Sequence, residues 1–350
     1  MQLIGSLALA SASDNFVAGA TIVMVLAMLA HAAEWAFIRE RRTADALAVP
    51  AQGSGREAEH DRADAAQEAA AQGAEALGSH RGAVAVLERP DGGDDATGRS
   101  ERSETFRRIG IALTILATGL LGLGVISRGL AAERVPWSNL YEFAITGSFI
   151  LLTTYLVTLR RLGLWFLSLP LVGFVLVVLG LAVTVLYLPV SGLIPALQSY
   201  WLVIHVSAAV TATAVFSLGA VTSLAHILKA RQERRVTEAP TGVLANLPPA
   251  AAIERIAYRL HAFAFPVWTF ALIAGAIWAA KAWGRYWGWD PKETWMFITW
   301  ICYAAYLHAR STAGWRDKVS WIALVAFGAL LFNLIGVNFL INGLHSYSGF

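Results

Sequence analysis

Cysteine is nearly absent: Cys302 is the only one in 350 residues. A single thiol excludes an internal disulfide and any C-x-x-C redox or zinc site. Charge is scarce as well, at 15% of residues against 57% hydrophobic, with a mean hydropathy of +0.55. A soluble domain of this length has no interior large enough to hide so much apolar surface. Basic residues are missing before the first apolar run, where Asp14 is the only charge. A secretory signal has the opposite order, a basic start and a small-residue cleavage site. The run therefore reads as an uncleaved helix with its N-terminus outside. No convincing internal repeat is present, which sets the chain apart from secondary transporters built of repeated halves. The net charge of +3 says little, because placement matters more than size in a membrane chain. No nucleic-acid partner is expected.

What the chain does have is apolar runs of 18 or more residues, the length that crosses about 30 Å of hydrocarbon. They predict an all-α, polytopic membrane bundle of about eight helices, at about 16–38, 108–126, 140–159, 162–188, 200–228, 261–280, 295–309 and 319–344. A short amphipathic piece at 253–260 precedes the sixth span. Three parts follow: an N-terminal transmembrane helix (1–38), a linker (39–105) and a membrane domain (106–350) carrying a Trp-rich loop at 283–295. The linker is Ala, Gly, Glu, Asp and Arg with almost no aromatic or β-branched residues. It cannot bury enough surface to order itself, although local helix at 56–77 is compatible with its Ala/Glu content. Asn139 and Ser138 suit a helix N-cap and Glu142 the acid of a capping box. With the N-terminus outside, Arg39, Arg41, Arg42, Arg107, Arg108, Arg160, Arg161, Lys229, Arg231, Arg234, Arg235, Arg310, Arg316 and Lys318 fall inside. Only Arg128, Arg134, Lys281, Arg285 and Lys292 stay outside. This bias predicts both termini on the extracytoplasmic side.

Residues 283–300 read W-G-R-Y-W-G-W-D-P-K-E-T-W-M-F-I-T-W and hold five of the chain's 13 Trp. An aromatic belt at the membrane surface is the bland explanation. Belts do not need Gly, Asp and Pro at fixed places among the indoles. Trp283, Trp287, Trp289 and Trp295, with Asp290 at the turn, instead suggest a flat aromatic floor for a large planar ligand. Asp290 and Glu293 are the candidate acids, though Asp290 suits equally well a cap on the turn into the seventh span.

Two histidines converge on this loop by topology. His205 lies about a turn below the external end of the fifth span, and His345 at the external end of the eighth. Paired axial His is a standard way to hold haem. Aromatic contacts contribute roughly 0.5–1.5 kcal/mol each, enough to orient a porphyrin but not to retain it, so iron–imidazole bonds would supply the rest. Lys281, Arg285 or Lys292 would meet its propionates. His308 lies roughly 20 Å down the seventh helix, near the cytoplasmic face. An ionisable residue at that depth is a functional candidate, and it marks a second, inner iron position. Its other ligand would come from His31, His226 or a partner chain. His261 reads as an interfacial cap of the sixth span, and His60 and His80 fall in the linker.

The run W-G-x-x-W-x-W-D-x-K-E-x-W, flanked by one His on each side, resembles the haem-handling superfamily of cytochrome c biogenesis proteins. Its K-E-x-W ending is similar to the System II synthetase subunit CcsA, also called ResC, or CcsB in some bacteria. Pro136-Trp137-Ser138-Asn139-Leu140-Tyr141-Glu142 and Gly343-Leu344-His345-Ser346-Tyr347 resemble the same subfamily, and the likeness covers about 106–350. It implies that His205 and His345 are axial ligands of an external haem, and that His308 is an inner ligand completed by a ResB-type membrane subunit. It further implies that haem b is moved outward, as cargo, and joined to the C-x-x-C-H segment of an apocytochrome c. The implied activity is that of a cytochrome c synthetase, exercised as part of a two-subunit complex. A thiol-reducing thioredoxin-like protein and membrane lipids are further implied partners. The implied place is the bacterial cytoplasmic (plasma) membrane, ahead of a thylakoid membrane. A b-type electron carrier and a component of a System I-like pathway are the alternatives.

Overall fold

A backbone crossing hydrocarbon must satisfy its polar groups internally, and helix is the form in which one segment does so alone. The structure, a computed structural model, describes residues 2–48, 92–191, 198–235, 243–312, 314–315 and 318–345. Within these there is no strand. The helices are α1 Gln2–Ala48, α2 Gly92–Ala132, α3 Leu140–Leu162, α4 Ser168–Thr184, α5 Tyr200–Arg235, α6 Ala250–Trp283, α7 Pro291–Ser311, α8 Val319–Leu331 and α9 Val337–Leu340. A 3-10 turn (Leu164–Leu167) leads into α4, and a π turn (Phe332–Gly336) joins α8 to α9. Among the described residues seven spans are long and apolar enough to cross a membrane. Helix α7, at 21 residues, is about 31 Å long. Its Lys292, Glu293 and Arg310 lie in its end turns, so with α7 the count reaches the expected eight.

Several boundaries differ from those read in the sequence. Helix continues through Ala48 and resumes at Gly92, so of the linker 39–105 only 49–91 lies outside the described residues, with the stretch 56–77, His60 and His80. The amphipathic piece at 253–260 is not separate. It is the start of α6, which begins directly after Pro249 and has no break before Gly284. Pro266 sits inside α6, where it removes one backbone donor without ending the helix.

Three antiparallel pairs build the bundle: α1 with α2, α5 with α6, and α7 with α8. Lipid tails are as apolar as the helices, so association relies on close packing at small residues. Gly124 on α2 faces Val17, where a Cβ would come within 2.9 Å of a methyl, and Ser13 Oγ donates to the Gly124 carbonyl at 2.8 Å. The α5–α6 pair repeats the device with imidazoles. A Cβ on Gly275 would meet the His205 ring at 2.7 Å, and one on Gly219 would meet the His261 ring at 2.6 Å.

At the outer end as assigned from the sequence, a buried ionic cluster ties the first two helices to the rest. Glu142, 0% exposed, accepts from Arg128 Nε (3.2 Å) and Arg134 Nη1 (2.7 Å). Arg128 also donates to the Leu188 carbonyl, faces Asp14 at 3.8 Å and stacks over the Tyr141 ring. Tyr187 donates to Asp14 at 2.7 Å. Thus two of the five basic residues that stood against the charge count, Arg128 and Arg134, are neutralised inside the fold.

Candidate functional site

The Trp-rich loop is shaped by its ends. Gly284, at φ 72, takes the left-handed conformation that stops α6. Trp289 also has a positive φ, 59, a strained state for a bulky residue. That twist turns the next residue, Asp290, back towards α7 as its N-cap. Asp290 Oδ2 accepts from Lys292 N–H at 3.2 Å. Glu293 returns the favour, its Oε2 accepting from Gly288 N–H at 2.8 Å and Asp290 N–H at 3.1 Å. The capping box is complete.

Asp290 has a second task that the sequence did not reveal. Its Oδ2 lies 2.7 Å from His345 Nδ1, and its Oδ1 accepts Leu344 N–H at 2.7 Å. Gly343 permits this approach, since a Cβ there would stand 2.7 Å from Oδ1. Burial pushes the Asp290 carboxyl up, but the hydrogen bonds from His345 and Leu344 outweigh it and hold the group below its usual 3.8. With Nδ1–H given to a carboxylate, a neutral His345 carries its lone pair on Nε2, the arrangement that orients metal-binding imidazoles. His205 has the same polarity, with Nδ1 donating to the Ala271 carbonyl at 2.8 Å.

Both histidines line one open cavity with about 1170 Å³ of empty space including its mouth. Trp278 lies against both. Its ring is stacked on His205 at 6.1 Å and edge-on to His345 at 5.6 Å. The walls come from Trp137, Ser138 and Asn139 ahead of α3, from α5 and α6, and from the π turn with Asn333. The opening P-W-S-N-L-Y-E run is held as expected in part: Asn139 caps α3 by accepting Glu142 N–H at 2.9 Å. Glu142, however, reaches Ser138 N–H (2.8 Å) and its hydroxyl (3.1 Å) and takes two arginines besides.

The four tryptophans do not form one flat floor. Trp287 alone among them lines the cavity. Trp287 and Trp289 meet at 90°, Trp289 is 66% exposed, and Trp295 turns to Phe332 at 4.2 Å. Trp283 stands edge-on to His345 at 4.8 Å. Edge-to-face contact suits the ring quadrupole better than a shared plane. Trp278, Trp137 and Trp268 contribute cavity surface that the motif did not signal, because helix register turns Trp278 and Trp268 inward and the turn ahead of α3 carries Trp137.

The remaining histidines separate. His308 is exposed on α7 and is not part of the cavity. His226 pairs with Ser320 at 2.7 Å, and His31 is buried with Glu34 (3.2 Å) and Thr114 (3.4 Å). His261 is not an interfacial cap. Because α6 starts eleven residues earlier, at Ala250, His261 lies fully buried among Phe216, Tyr303 and Tyr306. Among the described residues no cluster of three His, Cys, Asp or Glu could hold a metal ion.

The closeness of Gly275 to His205 gives a direct test of the site. Gly275→Ala should force the imidazole out of its notch and abolish ligand binding in the cavity, whereas Gly180→Ala, which meets nothing within 4 Å, should not. Equal ligand binding by both variants would remove His205 from the site.

Fold and cavity together define a multi-pass helical membrane protein whose two converging imidazoles come from distant parts of the chain. Residues 137–345 match the cytochrome C assembly protein family, so the chain belongs to that family. It is similar to cytochrome c biogenesis proteins named CcsA. That of Guillardia theta is 33% identical over 261 residues, 68% of this chain and 85% of the relative. That of Prochlorococcus marinus is 36% identical over 66% of this chain and 81% of its own. That of a Synechococcus strain is 34% identical over 71% of this chain and 87% of its own. A role in cytochrome c biogenesis follows, and with it an involvement with haem and with apocytochrome c.

Proposed function

We propose that the chain takes haem b as cargo, carries it across the bacterial cytoplasmic membrane and presents it between His205 and His345 on the outer face. There it would be attached covalently to the C-x-x-C-H segment of an apocytochrome c. The observation that supports this reading most is the pair itself: both imidazoles line one aromatic cavity, each with Nδ1 held by an acceptor. The chain's own part is position. Cys302, half-buried within α7, supplies no thiol to the substrate. The cysteines of the apocytochrome add across the vinyl groups of a porphyrin held in place, and fixed geometry of this kind can replace several kcal/mol of encounter entropy. Asp290 and Glu293 are occupied in shaping the turn and in holding His345, so neither is assigned as a proton donor.

The reading extends to the partners expected of a System II pathway. His308 stands exposed on α7 along with Phe297 and Ile301, and a ResB-type subunit docking there would complete an inner haem position. A thioredoxin-like reductant would keep the apocytochrome thiols reduced. The pairing of Arg128 and Arg134 with Glu142 leaves fewer free cations on the side read as external and so supports the reading of both termini outside. The test is spectroscopic. His205→Ala or His345→Ala should remove or perturb the low-spin haem spectrum of the purified protein, with partial recovery on adding imidazole. A double variant that keeps the wild-type spectrum of the outer site would sink the assignment.

A further inference from the structure

We propose that Lys292 is the anion receptor of the cavity and binds a carboxylate of the porphyrin, an inference that rests on the haem reading above. Lys292 occupies the first turn of α7, where the helix end carries partial positive charge and a cation is unfavourable. Local structure therefore gives no reason for a lysine there. Its side chain lines the cavity, and its Nζ donates to the Asn333 carbonyl of the π turn at 3.0 Å. An ammonium has three donors, and among the described residues no carboxylate lies within ion-pair distance of this one.

The neighbouring acids are committed elsewhere. Asp290 serves His345, Leu344 and the Lys292 backbone, while Glu293 serves the Gly288 and Asp290 backbones and faces Arg285 at 3.7 Å. The other two basic residues of the region are also excluded. Lys281 is exposed and outside the cavity, and Arg285 is turned to Glu293. Asp290 acts on this cation only from beyond ion-pair distance and is itself bound to His345 and Leu344. A ligand carboxylate in direct contact would therefore offset the cost of burying the ammonium. One fixed carboxylate would also choose a single in-plane orientation for a porphyrin whose axial bonds alone leave it free to rotate. Lys292 would thus decide which edge of the ring faces the apocytochrome.

The test uses the purified full-length chain in detergent, titrated with ferric haem and with haem dimethyl ester, in which both carboxylates are masked. Wild-type protein should bind haem about ten- to one-hundred-fold more tightly than the ester, the value of a charge-assisted hydrogen bond. Lys292→Met should bring haem down to the affinity of the ester and leave the ester nearly unchanged, and Lys292→Arg should keep the difference. Equal affinities in wild type, or a difference that survives in Lys292→Met, would overturn the role of Lys292 alone. Binding of both ligands that is indifferent to His205→Ala would overturn the cavity as the haem site, and this inference with it.

Discussion

Asp290→Asn should lower haem affinity by roughly ten- to one-hundred-fold, the range typical of a lost partner behind a metal-binding imidazole, without affecting membrane insertion. The carboxylate accepts His345 Nδ1–H and Leu344 N–H at 2.7 Å each while it caps α7. Lys292 N–H and His345 Nδ1 share Oδ2 while Leu344 N–H takes Oδ1. Asparagine with its oxygen on the Oδ2 side therefore keeps the cap but gives His345 a weaker, neutral acceptor and sets its amide nitrogen against Leu344 N–H. Asp290→Ala should do worse, because it loses the cap as well, at about 0.5–2 kcal/mol. The sign of the pH effect follows from the depressed carboxyl. Its contribution is complete above the ordinary carboxylate value of 3.8 and is lost only as pH falls through the lower folded value. Haem retention in Asp290→Asn equal to wild type, with an unchanged spectrum, would show that His345 needs no such support.

Glu142→Gln should be strongly destabilising at the end of the bundle that carries the cavity. The carboxylate is 0% exposed and compensates Arg128 and Arg134, themselves 1% and 6% exposed. Removing one partner of a buried ionic cluster leaves uncompensated charge and costs about 3–5 kcal/mol. By contrast Glu254→Gln, which breaks the partly exposed pair with Arg310 at 3.0 Å, should cost about 0–1 kcal/mol. Thermal denaturation of the detergent-solubilised protein, followed by Trp fluorescence, separates the two. The double change Glu142→Gln with Arg134→Met should regain part of the loss, since it removes a charge along with its partner. A Glu142→Gln protein as stable as Glu254→Gln would mean that the arginines find other partners.

The consequence reaches the site. Glu142 holds the Ser138 backbone and hydroxyl, and Trp137, Ser138 and Asn139 form one wall of the cavity. Arg128 and Arg134 come from α2 and the turn after it, before the residues that match the family. The α1–α2 pair therefore braces that wall through charge.

By itself the sequence determined the all-helical membrane class, the number and order of the spans and the family, because apolar run length and a dense local motif are properties of contiguous residues. Some helix ends it missed by ten residues or more, as at Ala250, because polar first and last turns carry no apolar signal. It also placed His205 and His345 at one end of the bundle, since topology follows from counting spans. Tertiary structure alone decided the rest. Trp278 enters the cavity through helix register and Trp137 through the turn ahead of α3, and Gly275 matters only because α5 and α6 pack with that glycine under His205. The three possible cations reduce to Lys292 because side-chain direction, not spacing, separates them. Asp290 reaches His345 across 55 positions of sequence. No local pattern announces such a contact, because the α7–α8 packing that brings those two residues together is set by buried side chains along both helices.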